Sequence, residues 1–292
     1  MLDYRIVTFL TVVEQGTLHK ASIELGLTQP AVSQHIKAIE ELYGVTLFNH
    51  QGRKLVLNDA GKLLHEYALK GQVLFDRYKH DLKSLKYGHK SYRMGATLTI
   101  GEYILPHYLG LYRKEFPSLD LTIQIDNTIN ILEKLDRREI DLAIVEGPYS
   151  QEKYQSRLFL KDEMVFISST QISLPQSVNK AFLSSAKLIL REKGSGTRYY
   201  WDSYCKRNNI DLGASQGVME IASLGAIKSL VAAGLGYSIM STRAVEQELD
   251  NNSIISIPFA FGPLYRNMYF VWTSECPLEF INEFVDFCEA NK

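Results

Sequence analysis

Residues 28–42, TQPAVSQHIKAIEEL, constrain this chain more than any other stretch, because they ask one short helix to meet two opposite environments. Thr28 can cap the start, and Pro30 falls in the first turn, where a missing N–H costs little. Val32, Ile36 and Ile39 recur at i, i+4 and i+7 and share one side, with His35 and Leu42 near its edge. The opposite side carries Gln29, Ser33, Gln34 and Lys37. An ordinary amphipathic helix with a solvated face would satisfy the same pattern. Short hydrogen-bonding groups backed by a cation also suit base edges and phosphates in a DNA major groove, and the flanking sequence favours that reading.

Residues 2–15 form a helical pattern with Leu2, Ile6, Phe9, Leu10 and Val13 on one side, stopped by Gly16. Thr17 can cap a second helix to about Leu25, and Gly26 supplies a tight turn before Thr28. Two short helices joined by a glycine turn are a helix-turn-helix, here about residues 18–37, whose second helix projects. After Gly44, residues 45–48 and 54–57 are β-prone and flank Gln51-Gly52. That predicts a small hairpin, or wing, with Arg53 and Lys54 near its tip. Such cations can simply keep a hairpin edge soluble. Beside a helix-turn-helix, phosphate contact is their expected role.

The run ASIELGLTQPAVSQHIKAIEELYGVTLFNHQGRKLVLNDAG resembles the winged helix-turn-helix of the LysR-type transcriptional regulators. Gln29-Pro30-Ala31-Val32-Ser33 and Leu47-Phe48 carry the resemblance, which covers essentially residues 1–61. The chain departs at Ser22, where Ala is usual, at His50, where Arg commonly follows Leu-Phe, and at Asn58, where Thr is usual. Asn remains a good N-cap, whereas His50 removes a fixed charge. The resemblance implies a DNA-binding domain at residues 1–58. Its contacts to double-stranded DNA would come from Thr28, Gln29, Pro30, Ser33, Gln34, Lys37, Arg53 and Lys54.

Residues 58–87 contain no Pro, and Ala60, Leu64, Tyr67, Gly71, Leu74, Tyr78, Leu82 and Leu85 step by three or four, as a coiled-coil seam would. A helix lying on its own domain would read similarly, and Gly71 interrupts the seam. The resemblance implies a linker and dimerisation helix at residues 59–88. A homodimer or homotetramer would then place two recognition helices on a near-palindromic promoter site. Residues 86–91, KYGHKS, form a polar linker.

Charge permits this without demanding it. Residues 1–90 hold twelve Lys/Arg against nine Asp/Glu, and the remainder twenty against twenty-four. No run approaches the roughly 20 apolar residues of a membrane span, and the start reads as a folding helix, not an export signal. Cys205, Cys276 and Cys288 lack both zinc spacing and a disulfide framework, which favours a reducing cytoplasm.

From Tyr92 the pattern changes. Strands are expected at 93–96, 119–125, 142–145, 164–168, 187–190, 218–221, 237–241 and 268–272. Helices are expected at 101–115, 130–137, from about 197, at 224–233 and at 277–289. Such alternation implies a largely parallel, doubly wound α/β sheet. Met94-Gly95-Ala96-Thr97, Phe116-Pro117, Glu139-Ile140-Asp141-Leu142-Ala143-Ile144 and Val231-Ala232-Ala233-Gly234-Leu235-Gly236 resemble the LysR-type effector domain, whose lobes are similar to periplasmic solute-binding proteins. On that resemblance residues 91–292 are an effector-binding domain, with lobe I about 91–160 and 268–292 and lobe II about 161–267. The expected fold is therefore α/β: an N-terminal winged helix-turn-helix, a long linker helix and a two-lobed, doubly wound effector domain.

In open α/β sheets, ligands sit where strands end and helices begin. Four such turns are rich in small donors: Thr97-Leu98-Thr99, Asn127-Thr128, Gly194-Ser195-Gly196-Thr197 with Arg198, and Ala222-Ser223. Each alone could be a helix cap. Together, helix-start N–H groups and close-approach glycines point to a small anionic effector between the lobes. The expected contacts are Thr97, Leu98, Thr99, Thr128, Ser195, Gly196, Thr197 and Arg198. Arg191 and Arg198 are candidate counter-charges, and either could instead pair with Glu192 or Asp202. Tyr199, Tyr200 and Trp201 are expected in a core or lobe interface.

Two other classes fit the sequence less well. An enzyme would have only His107 in this half for a Ser-His or Cys-His pair, and neither serine turn forms G-x-S-x-G. Gly194-Ser195-Gly196 lacks the third glycine of a dinucleotide fingerprint, since Tyr199 stands there, and no P-loop occurs. No catalytic residue, metal or cofactor is expected. A transport-type solute receptor would fit the lobes but not the attached winged helix.

Overall fold

The computed structural model describes residues 3–51, 54–87, 91–172, 175–211 and 217–292. Leu2, Arg53 and linker residues 88–90 lie outside the described residues, as do the side chains of His50 and Leu85. The chain divides into two compact units, Met1–His89 and Lys90–Lys292.

The first unit begins with α1 (Tyr4–Gln15), α2 (Leu18–Leu25) and α3 (Gln29–Tyr43). A hairpin follows, β1 (Phe48–Gln51) antiparallel to β2 (Lys54–Leu57), and then the long helix α4 (Asp59–Tyr87). Helix starts are set locally. Thr17 Oγ1 accepts from Lys20 N at 3.2 Å, Thr28 Oγ1 from Ala31 N at 3.3 Å, and Asn58 Oδ1 from Gly61 N at 2.8 Å. Gly26 turns α2 into α3 with φ +65°, a conformation that costs glycine little. Phe9, Val12, Ala21, Val32, Ile36, Ile39 and Leu47 form the core. Each large apolar member contributes about 1.5–3 kcal/mol on burial. Ser22 is accommodated among them because its hydroxyl donates to the His19 carbonyl at 2.8 Å.

Two local expectations are corrected. Leu42 is 64% exposed, because α3 runs a turn beyond Ile39, the last of its side chains in this core. The first wing strand starts at Phe48, not at 45, because the Asn58 amide takes the Thr46 carbonyl at 2.7 Å and keeps it out of the ladder.

The second unit opens with β3 (Ser91–Thr97), a π-helical turn (Ile100–Ile104) and α5 (Leu105–Glu115). The helical path therefore begins before residue 101. Pro106 has no N–H to return to Glu102, so the wider turn satisfies the chain there. β4 (Asp120–Asp126), α6 (Thr128–Asp136) and β5 (Leu142–Glu146) follow, with β4 and β5 both parallel to β3. The chain then runs along β6 (Gln155–Ser169), α7 (Lys180–Ser185), β7 (Leu188–Leu190), α8 (Gly196–Arg207), β8 (Val218–Glu220) and α9 (Leu224–Ala232). It ends with β9 (Ser238–Ser241), α10 (Thr242–Asp250), β10 (Ile254–Ile257), β11 (Leu264–Trp272) and α11 (Leu278–Ala290).

The α/β class holds, yet the sheet is mixed. β6 and β11 pair antiparallel over most of their length, β11 is antiparallel to β5, and β9 and β10 are antiparallel to β6. Both long strands cross between cores. Phe159 of β6 and Phe270 of β11 lie in one core with α5 and α11, while Met164 and Leu264 lie in another with Trp201. A third core surrounds Ile167, Ile227 and Val231. The crossing halves, residues 155–163 and 264–267, escape the sequence reading because they carry charges. α7 and β10, short elements with weak patterns, likewise escape the sequence reading, as does α10 although Ala244, Val245 and Leu249 share one helix face.

Candidate functional sites

The back of α3 is clamped and its front is free. Besides the buried Val32, Ile36 and Ile39, His35 Nδ1 and Thr8 Oγ1 share a hydrogen bond at 2.9 Å, and Glu40 Oε1 accepts from Leu47 N at 2.8 Å. Thr28, Gln29, Pro30, Ser33, Gln34 and Lys37 are all exposed. Lys37 Nζ lies 3.6 Å from Glu41 Oε1, an exposed pair too weak to withhold the ammonium from a phosphate. Lys54 is exposed at the start of β2; Arg53 lies outside the described residues.

In the second unit, β3 and β5 end side by side at Thr97 and Glu146, and α6 and α8 open close to them. The hydroxyls expected to hold an anion divide into two sets. Three are committed within the protein. Thr97 donates to the Glu146 carboxylate, Thr128 donates to the Glu146 carbonyl at 2.5 Å, and Thr197 accepts from Arg266 Nη1 at 2.8 Å. Thr99 and Ser195, 1% and 3% exposed, make no side-chain hydrogen bond among the described residues. Gly196 does permit a close backbone approach, but to Glu146: a Cβ there would lie 2.3 Å from the Glu146 carbonyl oxygen. Ser223 spends its hydroxyl capping α9, accepting from Ala226 N at 3.2 Å, and Leu98 packs against the Ile227 core.

Both arginines named as counter-charges are paired internally. Arg198 Nε reaches Asp202 at 2.9 Å and its Nη1 donates to the Arg191 carbonyl at 3.0 Å, while Arg191 Nε holds Glu192 at 2.8 Å. A pocket of about 260 Å³ lies here, lined by Thr128, Ile129, Lys193, Ser195, Arg198 and Tyr199 among others. Lys193, absent from the sequence-based set, is exposed there and forms no ion pair among the described residues. Tyr199 belongs to this wall, whereas Trp201 is core as expected.

A buried charge network that sequence reading misses reaches the end of β5 at Glu146 and the start of α8 at Thr197. Arg266 Nε donates to Asp162 Oδ2 at 2.8 Å and its Nη1 to Glu146 Oε1 at 3.2 Å. Ser241 Oγ donates to Asp162 Oδ1 at 2.8 Å. A signal for it existed. Arg266 sits in phase between Leu264 and Met268, and Asp162 between Leu160 and Met164, each on the inward register of a strand. A charge in the apolar phase of a strand demands a buried partner.

Among the described residues no three His, Cys, Asp or Glu side chains gather as a metal site, and no helix is long and apolar enough to cross a membrane. A winged helix-turn-helix with an unencumbered polar face, in one chain with a multi-core α/β unit that carries a small pocket edged by Lys193 and Arg198, defines a ligand-responsive DNA-binding regulator. Residues 4–62 match the family described as bacterial regulatory helix-turn-helix protein, lysR family, and residues 88–292 match the LysR substrate binding domain. The chain belongs to the LysR family of transcriptional regulators. It is 31% identical to the HTH-type transcriptional activator CmpR of Synechocystis sp., over 99% of this chain and 95% of that protein. Its fold is similar to full-length CbnR complexed with its target DNA, with TM-score 0.77, 17% identity and complete coverage of both chains. It is also similar to the CcmR regulatory domain of Synechocystis PCC6803 in complex with 2-PG, with TM-score 0.60 and 24% identity over 68% of this chain and 96% of that one.

Proposed function

We propose that this chain is a cytoplasmic, sequence-specific transcriptional regulator that binds double-stranded DNA as a homo-oligomer. A small anionic metabolite, bound between lobe I (91–160 and 268–292) and lobe II (161–267), tunes it. The observation that carries this reading is the buried Ser195 hydroxyl beside exposed Lys193 in the pocket at the starts of α6 and α8, neither of them hydrogen-bonded or ion-paired through its side chain among the described residues, with Thr99 after β3 as a second unspent hydroxyl. Helix starts offer N–H groups to anions, and an exposed ammonium adds charge attraction. That a related regulatory domain is described with 2-PG and a related regulator with DNA supports both halves.

Residues 1–58 act as the DNA-binding domain and 59–88 as the linker and dimerisation helix. Tyr67, Leu74, Tyr78 and Leu82 support this, forming an exposed apolar row on α4 that a second copy would cover. Action by binding, not catalysis, is supported by the position of His107, exposed on α5 with no hydrogen bond to a Ser, Thr or Cys side chain among the described residues. The test is a gel shift with DNA flanking its own gene, with and without small anions. The parent should bind that DNA over random DNA, and an active anion should alter the footprint. Thr99→Val with Ser195→Ala should remove the anion's effect and leave DNA affinity in its absence intact. Equal binding to random DNA would refute the regulator reading.

A further inference from the structure

We propose that Glu146 is a built-in competitor of the effector: its carboxylate occupies Arg266 and Thr97, and an effector anion engages that guanidinium by turning Glu146 out. The proposal rests on the cleft reading above and concerns how that cleft is regulated.

Three groups that the sequence assigns to a foreign anion converge on Glu146 instead. Thr97 donates to its carboxylate, Thr128 to its carbonyl, and the Gly196 backbone packs against that carbonyl. Glu146 thus stands where an incoming anion would be solvated by the protein.

Arg266 has donor capacity to spare. Its Nε is well used by Asp162 at 2.8 Å, whereas Nη1 is divided between Thr197 at 2.8 Å and Glu146 at 3.2 Å. Charge-assisted N–H···O contacts usually run about 2.7–2.9 Å, so Glu146 is the more loosely held carboxylate. Nη2 is buried and has no hydrogen-bond partner among the described residues. A guanidinium 1% exposed with an unsatisfied N–H is a donor that a further oxygen would satisfy.

Charge decides between addition and exchange. Arg266 and Asp162 balance each other, and Glu146 adds a second buried carboxylate to one guanidinium. Arg243 Nε lies 4.0 Å from Asp162, on a half-exposed side chain that water screens. A third anion beside Glu146 would be desolvated without a counter-charge, which a buried site resists. Exchange keeps the buried charge constant for a monoanion and limits the added charge to one for a dianion such as sulfate. The protein therefore weakens its own effector, setting the concentration at which the cleft fills. Removing Glu146 leaves Arg266 paired with Asp162, so the fold retains its buried ion pair.

The test uses the full chain with inorganic phosphate and sulfate as probes, read by titration calorimetry and by thermal shift, which responds to any ligand of the folded state. Glu146→Gln should bind the probes at least tenfold more tightly than the parent, about 1.4 kcal/mol. Equal or weaker binding, or none in either protein, overturns the competitor role. Thr99→Val with Ser195→Ala should weaken the probes in both backgrounds. If those changes have no effect in either, the cleft reading fails; if they act but Glu146→Gln brings no gain, only the competitor role fails. Should Glu146→Gln fold poorly, a crystal structure of the parent with bound phosphate decides. The Glu146 carboxylate must have left Arg266, and an anion bound with that contact intact overturns the proposal.

Discussion

Arg266 on β11 and Asp162 on β6 stand opposite each other in the antiparallel register, guanidinium Nε to carboxylate Oδ2 at 2.8 Å, where the two strands pass from one core to another. Both are almost completely buried. Removing one partner of a buried ion pair strands the other charge. Asp162→Ala should therefore lower unfolding stability by about 3–5 kcal/mol. Ser241→Ala, which deletes one hydrogen bond to the same carboxylate, should cost about 1.5–3 kcal/mol. Urea denaturation of the two variants checks both values. An Asp162→Ala midpoint equal to that of the parent would mean that the junction is held by its apolar flanks alone.

The exposed face of α3 and the wing should behave differently on DNA. Gln29→Ala or Ser33→Ala should cost about 1–3 kcal/mol on the target site and blur discrimination there, as expected of base contacts. Lys54→Ala should weaken binding to every sequence and reduce the salt slope by about 1, as expected of a phosphate contact. Binding isotherms at several salt concentrations, on target and random DNA, separate the two. Equal losses on both DNAs for Ser33→Ala would remove it from base readout.

Leu74 is 42% exposed in the apolar row of α4. If a second copy covers that row, Leu74→Glu should place a charge in an apolar contact and give monomers with poor operator affinity. Sedimentation velocity reads the first effect and a gel shift the second. A variant that sediments as the parent does and binds DNA as tightly would place the oligomer contact elsewhere.

The thiols should be silent. Burial pushes Cys205 and Cys288 up to about 12 from a usual value of 9.0. At pH 8 roughly one in ten thousand of each would be the reactive thiolate. Native protein should leave both unmodified by an aromatic disulfide reagent at that pH, and denaturation should expose them. The sign also sets a stability trend. Because the folded values lie above the unfolded one, the thiols' contribution is fully present below about pH 9 and is lost as pH rises toward 12. Rapid labelling of Cys205 at pH 8 in the native state would contradict its burial.

Several features were legible because they are local. Thr17, Thr28 and Asn58 cap helices whose starts they announce, and Val32, Ile36 and Ile39 fall into the core at the spacing of a single helix face. The donor-rich turns after β3, before α6 and before α8 were equally plain, since each is a contiguous run. Their partners were not. Thr97 and Thr128 each looked like a free hydroxyl, yet both end on Glu146, which is 49 residues from the first and 18 from the second. Lys193 escapes the sequence because a lone lysine in a turn carries no pattern; Arg198 beside it in the pocket is paired with Asp202, whereas Lys193 forms no ion pair among the described residues.

By itself the sequence determined the winged helix-turn-helix, the uninterrupted helix after it and the α/β alternation, since helix caps, turns and periodicities act over a few residues along the chain. The tertiary structure alone decided which donors remain free for a ligand. It did so by bringing Glu146 and Asp162 onto one guanidinium, 120 and 104 residues away in the chain. A buried charge must be matched by whatever group the fold delivers to it, and no local spacing encodes that partner.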